Sequence, residues 1–158
     1  MRSLAEWHRV PYRYLPVSDG CKTEQERRPI GLFEQVDVEL LVLARHMRIL
    51  TADTRRYFDG RAINIHHSFL RDFKGAKACH QAHARGAKLI GATAHYVTTN
   101  LYEGPIIEQE VERVDHTRSP EDVTVVGSEL ETVVQNRAIK WHSERRVIRN
   151  GNRTVVRK

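Results

Sequence analysis

The run from residue 38 to residue 44, which reads VELLVLA, restricts the fold of this chain more than any other segment. It is almost continuously apolar, whereas a strand with one face in water alternates apolar and polar residues. A continuous apolar strand is typical of a sheet that helices cover on both faces. The run therefore predicts an α/β fold with a mostly parallel sheet.

Four further segments are predicted as strands, and they span residues 12–17, 62–66, 89–98 and 105–114. They carry β-branched or other apolar residues. The last of them mixes charged with apolar side chains, which favours a position at the edge of the sheet. Strands that alternate with helices along the chain agree with the α/β class.

Helices are predicted over residues 3–9, 22–35 and 77–85, and Gly86 suits the left-handed conformation that ends the third of them. A longer helix is expected after Ser119, a natural N-cap that Pro120 follows at the first turn. Its apolar residues recur at spacings near 3.6 residues, as one buried helix face requires.

The chain is expected to end in a β-hairpin, because the sequence after the long helix reads VIRNGNRTVV. Two short apolar runs flank the pair Asn150-Gly151 there. This pair is a strong signal for a type I′ turn, in which both central residues have positive φ.

Composition is that of an ordinary folded domain. The chain has 158 residues, of which 40% are hydrophobic and 29% charged, so it can bury a core as one domain and is not expected to be disordered. No apolar run approaches the roughly 20 residues that cross a bilayer. Cys21 and Cys79 are too few for a disulfide framework or a zinc knuckle. We therefore expect a cytoplasmic protein without a membrane partner.

The net charge of +6 suits an anionic partner. The basic residues are spread along the chain and concentrate only near its end, between Arg145 and Lys158. Charge alone specifies neither a fold nor a binding mode. We expect no nucleic-acid partner, and an anionic metabolite fits the charge equally well.

The segment NIHHSFL places chemically useful side chains at the end of a predicted strand. Alternation along an extended chain sends Asn64 and His66 to the same side and Ile65 to the other. An amide can bond an oxyanion and an imidazole can transfer a proton, so the pair suits chemistry at a carbonyl. The alternative is a histidine whose ring is only satisfied by backbone groups in the core.

A metal hydrolase is a second alternative, because His80 and His83 share a helical face. His66 and His67 would lie nearby. With nine histidines in the chain, chance pairs are common, and no carboxylate or cysteine completes a ligand set with a recognisable spacing. We expect no metal site.

Five stretches together resemble one known family. They read LARHMRILT, NIHHSFL, HQAHARGAKLIGATAHYVT, EGPIIEQEVERVDH and RAIKWHSERRVIRNGNRTVV. In this order they are similar to the formyltetrahydrofolate deformylases of the formyltransferase-fold family, and less closely to glycinamide ribonucleotide formyltransferases. His67 favours the deformylases, because the transferases usually have proline there. The resemblance covers nearly the whole chain.

The resemblance implies a Rossmann-like formyltransferase fold that hydrolyses 10-formyltetrahydrofolate to tetrahydrofolate and formate. Folate would be the substrate, and no cofactor is expected. By analogy, Asn64 would stabilise the oxyanion and His66 would assist proton transfer. The residues that the resemblance assigns to substrate binding are Met47, Arg48, Ile49, Leu50, His67 and Thr98.

One position departs from the family pattern. The family has an aspartate after the leucine of an L-D-x-G pattern, and this sequence has Leu101, Tyr102, Glu103 and Gly104. A phenol, with a pKa of about 10, is a poor base at neutral pH. We expect impaired activity, unless Glu103 takes the role. The alternatives are a catalytically silent folate-binding or oligomerising remnant and, less favoured, a formyltransferase with another acceptor.

Relatives carry a regulatory domain and the first strands of the sheet before anything that resembles Ser3. By this comparison residues 1–158 form a partial catalytic domain with no N-terminal regulatory domain. The strand at residues 38–44 would then have an open edge, and open edges promote association. We expect self-association and a homo-oligomer.

Overall fold

The computed structural model describes residues 2–15, 22–44, 46, 50–66, 78–98 and 104–157. The helices are α1 Arg2–Trp7, α2 Lys22–Gln35, α3 Ala52–Tyr57, α4 Ala78–Ala84 and α5 Pro120–Ser143. The strands are β1 Leu41–Leu43, β2 Ala62–His66, β3 Leu89–Tyr96, β4 Ile106–Arg113, β5 Val147–Asn150 and β6 Arg153–Val156. No helix in these described ranges is long and apolar enough to cross a membrane.

Four strands form the main sheet in the order β1-β2-β3-β4, and the α/β class is confirmed. Among the described strands the sheet is mixed rather than mostly parallel, because β1 and β2 are parallel while β3 is antiparallel to both β2 and β4. β3 starts at the end of the sheet where β2 stops, since His66 is opposite Thr93 and Ile63 is opposite Tyr96. An antiparallel neighbour of this kind needs no crossover connection to the far end of the sheet.

The predicted strand at residues 62–66 is confirmed as β2, and the one at residues 38–44 shortens to Leu41–Leu43. β4 lies at the edge of the sheet, as predicted. Residues 12–15 form no strand, and the rest of that predicted strand lies outside the described residues. Within the described part of the chain, β1 pairs on one side only, so the expected open edge is present there.

Helix predictions agree well with the structure, and α2 has the predicted bounds even though Pro29 lies inside it. One helix was missed, namely α3. Its signal is Thr51, an N-cap whose Oγ1 accepts a hydrogen bond from the backbone N–H of Thr54. A six-residue helix is too short to show a clear apolar period, so only the cap could have revealed it.

The long helix α5 starts as predicted, with a reciprocal capping box between Ser119 and Asp122. It packs across one face of the sheet and forms the larger core. The buried members of this α5-side core are Ile63, Ile65, Ile90, Ala92, Ala94, Tyr96, Ile107, Val114, Val123, Val126, Leu130, Val134 and Ala138.

A smaller core lies against the other side of the sheet, where α2 and α3 pack. Its buried residues are Phe33, Phe58, Ala62 and Val97. The ring centroids of Phe33 and Phe58 are 4.9 Å apart with nearly perpendicular planes, a favourable aromatic arrangement. β2 is thus covered on both sides. In β1, Leu41 and Leu43 pack against the smaller core, but Val42 on the other side is 37% exposed, so the covering on both faces that the apolar run predicted is wrong for this strand.

The C-terminal hairpin is confirmed, but its turn is not type I′. Asn150 pairs with Arg153, so Gly151 and Asn152 are the central residues. Gly151 has a φ of 57°, and Asn152 is not among the residues with positive φ. A type I′ turn needs positive φ at both positions, and glycine at the first alone is typical of type II′.

Candidate active site

The polar residues of β2 lie on the face of the sheet that α5 does not cover. Ile63 and Ile65 belong to the α5-side core, so the alternation of the strand turns Asn64 and His66 to the opposite face. Both are half-buried. The predicted pairing of Asn64 with His66 on one side of the strand is therefore confirmed.

The antiparallel partner β3 adds two polar residues to the same face. His95 is opposite Asn64 in the register, and Thr93 is opposite His66. Residues directly opposite each other in an antiparallel pair have Cα atoms about 4.5–5.5 Å apart. Gln109 of β4 extends the group, because its amide nitrogen donates to the Thr93 hydroxyl at 2.9 Å. We call Asn64, His66, Thr93, His95 and Gln109 the polar face.

The ring of His95 is held in one tautomer. Its Nδ1 is 3.0 Å from the backbone carbonyl oxygen of Tyr96. A carbonyl oxygen only accepts, so Nδ1 must carry the proton, which leaves Nε2 unprotonated in the neutral ring. Burial lowers the pKa of His95, although the carbonyl hydrogen bond partly opposes the shift. His95 is thus a neutral imidazole whose Nε2 can accept a proton.

The side chain of Asn64 has hydrogen-bonding capacity that no described residue uses. Its Oδ1 is buried and has no partner among them. Leaving a buried polar atom unsatisfied costs about 1–3 kcal/mol, and exceptions of this kind in native proteins often mark catalytic sites. Together with the imidazoles of His66 and His95, the amide can bind a polar group of a ligand and transfer protons to or from it.

Gly104 stands where the chain returns from the site to β4, and only glycine fits there. A Cβ atom at this position would overlap the Tyr96 carbonyl oxygen and approach His95 Nδ1 to 3.0 Å. The backbone N–H of Tyr96 also donates to the carbonyl oxygen of Pro105 at 3.0 Å. The last residue of the sequence Leu101–Gly104 therefore touches the carbonyl that holds His95.

Two of the residues assigned to substrate binding are described. Leu50 packs against the smaller core, and β1 ends at Leu43, which is the parallel partner of Asn64. Thr98 is half-buried at the other end of β2, since its neighbour Val97 donates to the Ala62 carbonyl. The register does not place Thr98 beside His66.

The remaining assigned residues lie outside the described residues, and their roles stay predictions. They are Met47, Arg48, Ile49, His67, Tyr102 and Glu103. The described strand positions of the polar face carry no carboxylate. A carboxylate at this site would have to come from another segment, and Glu103 precedes Gly104, which contacts the site.

No group of three or more histidine, cysteine, aspartate or glutamate side chains lies close enough to hold a metal ion within the described ranges. His83 Nε2 is 3.0 Å from the carbonyl oxygen of Arg118, so it donates there. His80 is exposed on α4. The two histidines therefore share a helical face at the surface, where one bonds to a backbone carbonyl and the other is exposed.

Sequence reasoning missed three residues of the polar face, namely Thr93, His95 and Gln109. Alternation within the predicted strand at residues 89–98 puts Thr93 and His95 on one side, so part of the signal was present. Their position beside Asn64 and His66 depends on the antiparallel register. An expected parallel sheet hid this arrangement.

Comparison with known proteins gives a consistent result. The profile of the family described as formyl transferase matches residues 12–139. The formyltetrahydrofolate deformylase of Corynebacterium sp. (strain P-1) is 48% identical over 155 residues, which are 98% of this chain and 54% of that protein. The chain spans about half the length of the curated relatives it matches.

Solved structures agree in fold. The crystal structure of formyltetrahydrofolate deformylase from Burkholderia mallei ATCC 23344 superposes with a TM-score of 0.92 and 52% identity, covering 99% of this chain and 56% of that one. Glycinamide ribonucleotide transformylase 1 from Symbiobacterium toebii superposes with a TM-score of 0.85 at 28% identity, covering 99% and 74% of the two chains. The order of these similarities is the one that the sequence motifs indicated.

Proposed function

We propose, since this chain belongs to the formyl transferase family, that its polar face hydrolyses 10-formyltetrahydrofolate to tetrahydrofolate and formate. The observation that carries the proposal is the juxtaposition of three groups on that face. They are the side-chain amide of Asn64, the His66 imidazole, and the His95 ring with Nε2 unprotonated. The names of the similar proteins supply the substrate class.

These groups suit each step of formyl hydrolysis. Water adds to the formyl carbon, and the carbonyl oxygen becomes an oxyanion to which the Asn64 amide N–H can donate. His95 Nε2 can accept a proton from the attacking water. The C–N bond then breaks, and the leaving nitrogen takes a proton, which His66 can supply. Formate and tetrahydrofolate result, with one water consumed.

The test is formate release from 10-formyltetrahydrofolate by the chain as it stands. Asn64→Ala and His66→Ala should each lower the rate, by about 10²–10³ for the lost oxyanion donor and 10²–10⁴ for the lost acid–base group. His80→Ala is the matched control, because His80 is exposed on α4. Release that neither site variant changes would refute the proposal.

The rate of the native chain should be low, because Tyr102 stands at the family's aspartate position. We expect Tyr102→Asp to raise formate release by as much as about 10²-fold, since a carboxylate favours the charged imidazolium of a neighbouring histidine. The gain should vanish when His66→Ala is added. If the native chain is already fast and Glu103→Gln abolishes release, Glu103 holds the role instead.

A folate-binding protein without turnover is the second candidate, and Tyr102 is the observation that favours it. Calorimetry with a non-hydrolysable formylfolate analogue separates the two. Saturable binding without formate release, in the native chain and in Tyr102→Asp alike, would establish the binding protein. Release restored by Tyr102→Asp would establish the hydrolase.

The remaining proposals concern conditions and partners. The reaction needs no cofactor, so dialysis against a chelator should leave the rate unchanged.

We propose that the protein is cytoplasmic and forms a homo-oligomer. The exposed apolar side chains of the N-terminal segment support the oligomer. Those side chains are Leu4, Trp7, Val10, Tyr12, Tyr14 and Leu15. A monodisperse monomer in size-exclusion chromatography with light scattering would contradict the oligomer.

A further inference from the structure

Tyr96 joins the two sides of the sheet. Its side chain is 2% exposed and lies in the α5-side core, on the face opposite His95. Its hydroxyl group is 2.7 Å from Nδ1 of His142, a residue in the last turn of α5. The two ring centroids are 5.7 Å apart in an edge-to-face arrangement. The tyrosine ring is therefore anchored to the end of the long helix.

The main chain of the same residue carries the contacts of the polar face. The Tyr96 carbonyl oxygen accepts from His95 Nδ1 and lies against Gly104, and the Tyr96 N–H donates to the Pro105 carbonyl. A displacement of the ring of Tyr96 would move this carbonyl, because interiors are close-packed and transmit small shifts. The α5-side anchor and the His95 tautomer thus depend on one residue, Tyr96.

A second contact holds the ring of Tyr96 from the hairpin. The guanidinium carbon of Arg149 lies 5.7 Å from the ring centroid, within the range of a cation–π contact. Arg149 Nη2 also donates to both carboxylate oxygens of Asp59, at 3.1 and 3.2 Å. The Tyr96 ring is therefore held by Arg149, whose orientation Asp59 fixes, as well as by His142.

We propose that Tyr96 and His142 are positioning residues for His95. Their hydrogen bond fixes the Tyr96 peptide unit, whose carbonyl keeps the His95 ring in the Nδ1–H tautomer and leaves Nε2 available as a base. The effect of these residues on catalysis rests on the proposed function. Their effect on the His95 tautomer rests on the geometry alone. The side chains of Tyr96 and His142 lie on the opposite side of the sheet from the polar face.

The primary measurement is the tautomer of His95, observed by nitrogen NMR on protein with labelled histidine. Wild-type chain should show Nδ1 protonated and Nε2 unprotonated above the pKa of the ring. Tyr96→Phe and His142→Leu should each shift the ring toward the Nε2–H form. His142→Asn should retain the wild-type tautomer, because its side-chain oxygen can accept from the Tyr96 hydroxyl.

Kinetics supply the second readout, with Tyr102→Asp as the background if the native rate is too low. Tyr96→Phe and His142→Leu should lower kcat about tenfold, the value of one lost hydrogen bond, with KM within about twofold. Tyr57→Phe is the matched control. It removes a different tyrosine hydroxyl, which donates to Glu34 at 3.1 Å on the surface, and it should change neither readout.

The double variant Tyr96→Phe with His142→Leu guards against simple unfolding, because replacing both partners with apolar groups is nearly neutral for stability. A folded double variant with the wild-type His95 tautomer would overturn the proposal. If no form of the chain releases formate, the proposed function fails, and the tautomer still decides the positioning role. Loss of the Nδ1–H tautomer in the double variant supports it in either case.

Discussion

The two faces of the sheet differ in how completely their polar groups are satisfied. The α5-side core is lined by apolar side chains, several of them fully buried, such as Ile63, Ala94 and Val134. On the opposite face, Asn64 Oδ1 is buried without a hydrogen-bond partner among the described residues, and so are Arg55 Nε and Nη1 in the neighbouring helix α3. One strand, β2, contributes to both faces through alternate residues.

The difference indicates that one face of the sheet mainly stabilises the fold and the other is suited to binding a ligand. Apolar burial of about 25 cal/mol per Å² makes the α5-side core the main source of stability. Unsatisfied polar atoms lower stability and persist where a ligand uses them. Under the proposed function, the polar face keeps such atoms for a ligand, and changes on the two faces should affect different measured quantities.

The largest effect on stability is expected for Ile63→Ala in the α5-side core. Ile63 is 0% exposed, and removing its buried methyl groups should cost about 2–5 kcal/mol of unfolding free energy. Ile106→Ala is the matched control, because Ile106 is 46% exposed and should change the value by less than about 1 kcal/mol. Urea unfolding measures both. Equal costs at the two sites would contradict the assignment of the core.

A smaller effect is expected from pH. Burial lowers the pKa of both His95 and His142, and in His142 the nearby Glu39 partly opposes the shift. The unfolded chain then binds more protons than the folded one as pH falls below about 6.5. Stability should therefore be full above that pH and decline below it, by at most about 1.4 kcal/mol per pH unit for His95 and by less for the more exposed His142, where solvent screens the effect.

Urea unfolding at a series of pH values between 5 and 8 tests this slope. His95→Gln and His142→Asn should each flatten it, while His116→Gln, at an exposed position, should leave it unchanged. A slope that the two variants do not reduce would show that other groups cause the pH dependence.

The smallest effect is expected for Arg55→Leu on the α3 side. Two buried guanidinium nitrogens of Arg55 lack partners among the described residues, so an apolar side chain should raise stability by about 1 kcal/mol. Arg56→Leu is the control, because that side chain is exposed and paired with Asp53 at 3.4 Å. A loss of stability in Arg55→Leu would show that the arginine makes contacts that stabilise the fold.

Local signals in the sequence predicted most elements correctly. The cap at Ser119 determined the start of α5, and the apolar run at residues 38–44 indicated a strand. Strand direction could not be predicted in the same way. It depends on the end of the sheet at which the chain enters β3, and the alternation of side chains within β3 is the same for either direction.

The candidate site was predictable only in part for the same reason. Asn64 and His66 are two apart on one strand, so alternation alone places them together. His95 is 29 positions beyond His66 in sequence, and only the antiparallel register makes it a neighbour of Asn64. The tautomer of its ring depends on a backbone carbonyl, which sequence motifs do not show.

The most direct test compares Asn64→Leu with Ile63→Ala, two adjacent changes that affect opposite faces of β2. Formate release and unfolding free energy are measured on the same preparations, in the Tyr102→Asp background if needed. We predict that Asn64→Leu loses release by at least about 10²-fold with unchanged or higher stability, and that Ile63→Ala loses stability with release per folded molecule retained. A result in which both variants lose stability and release together would contradict the division between the two faces.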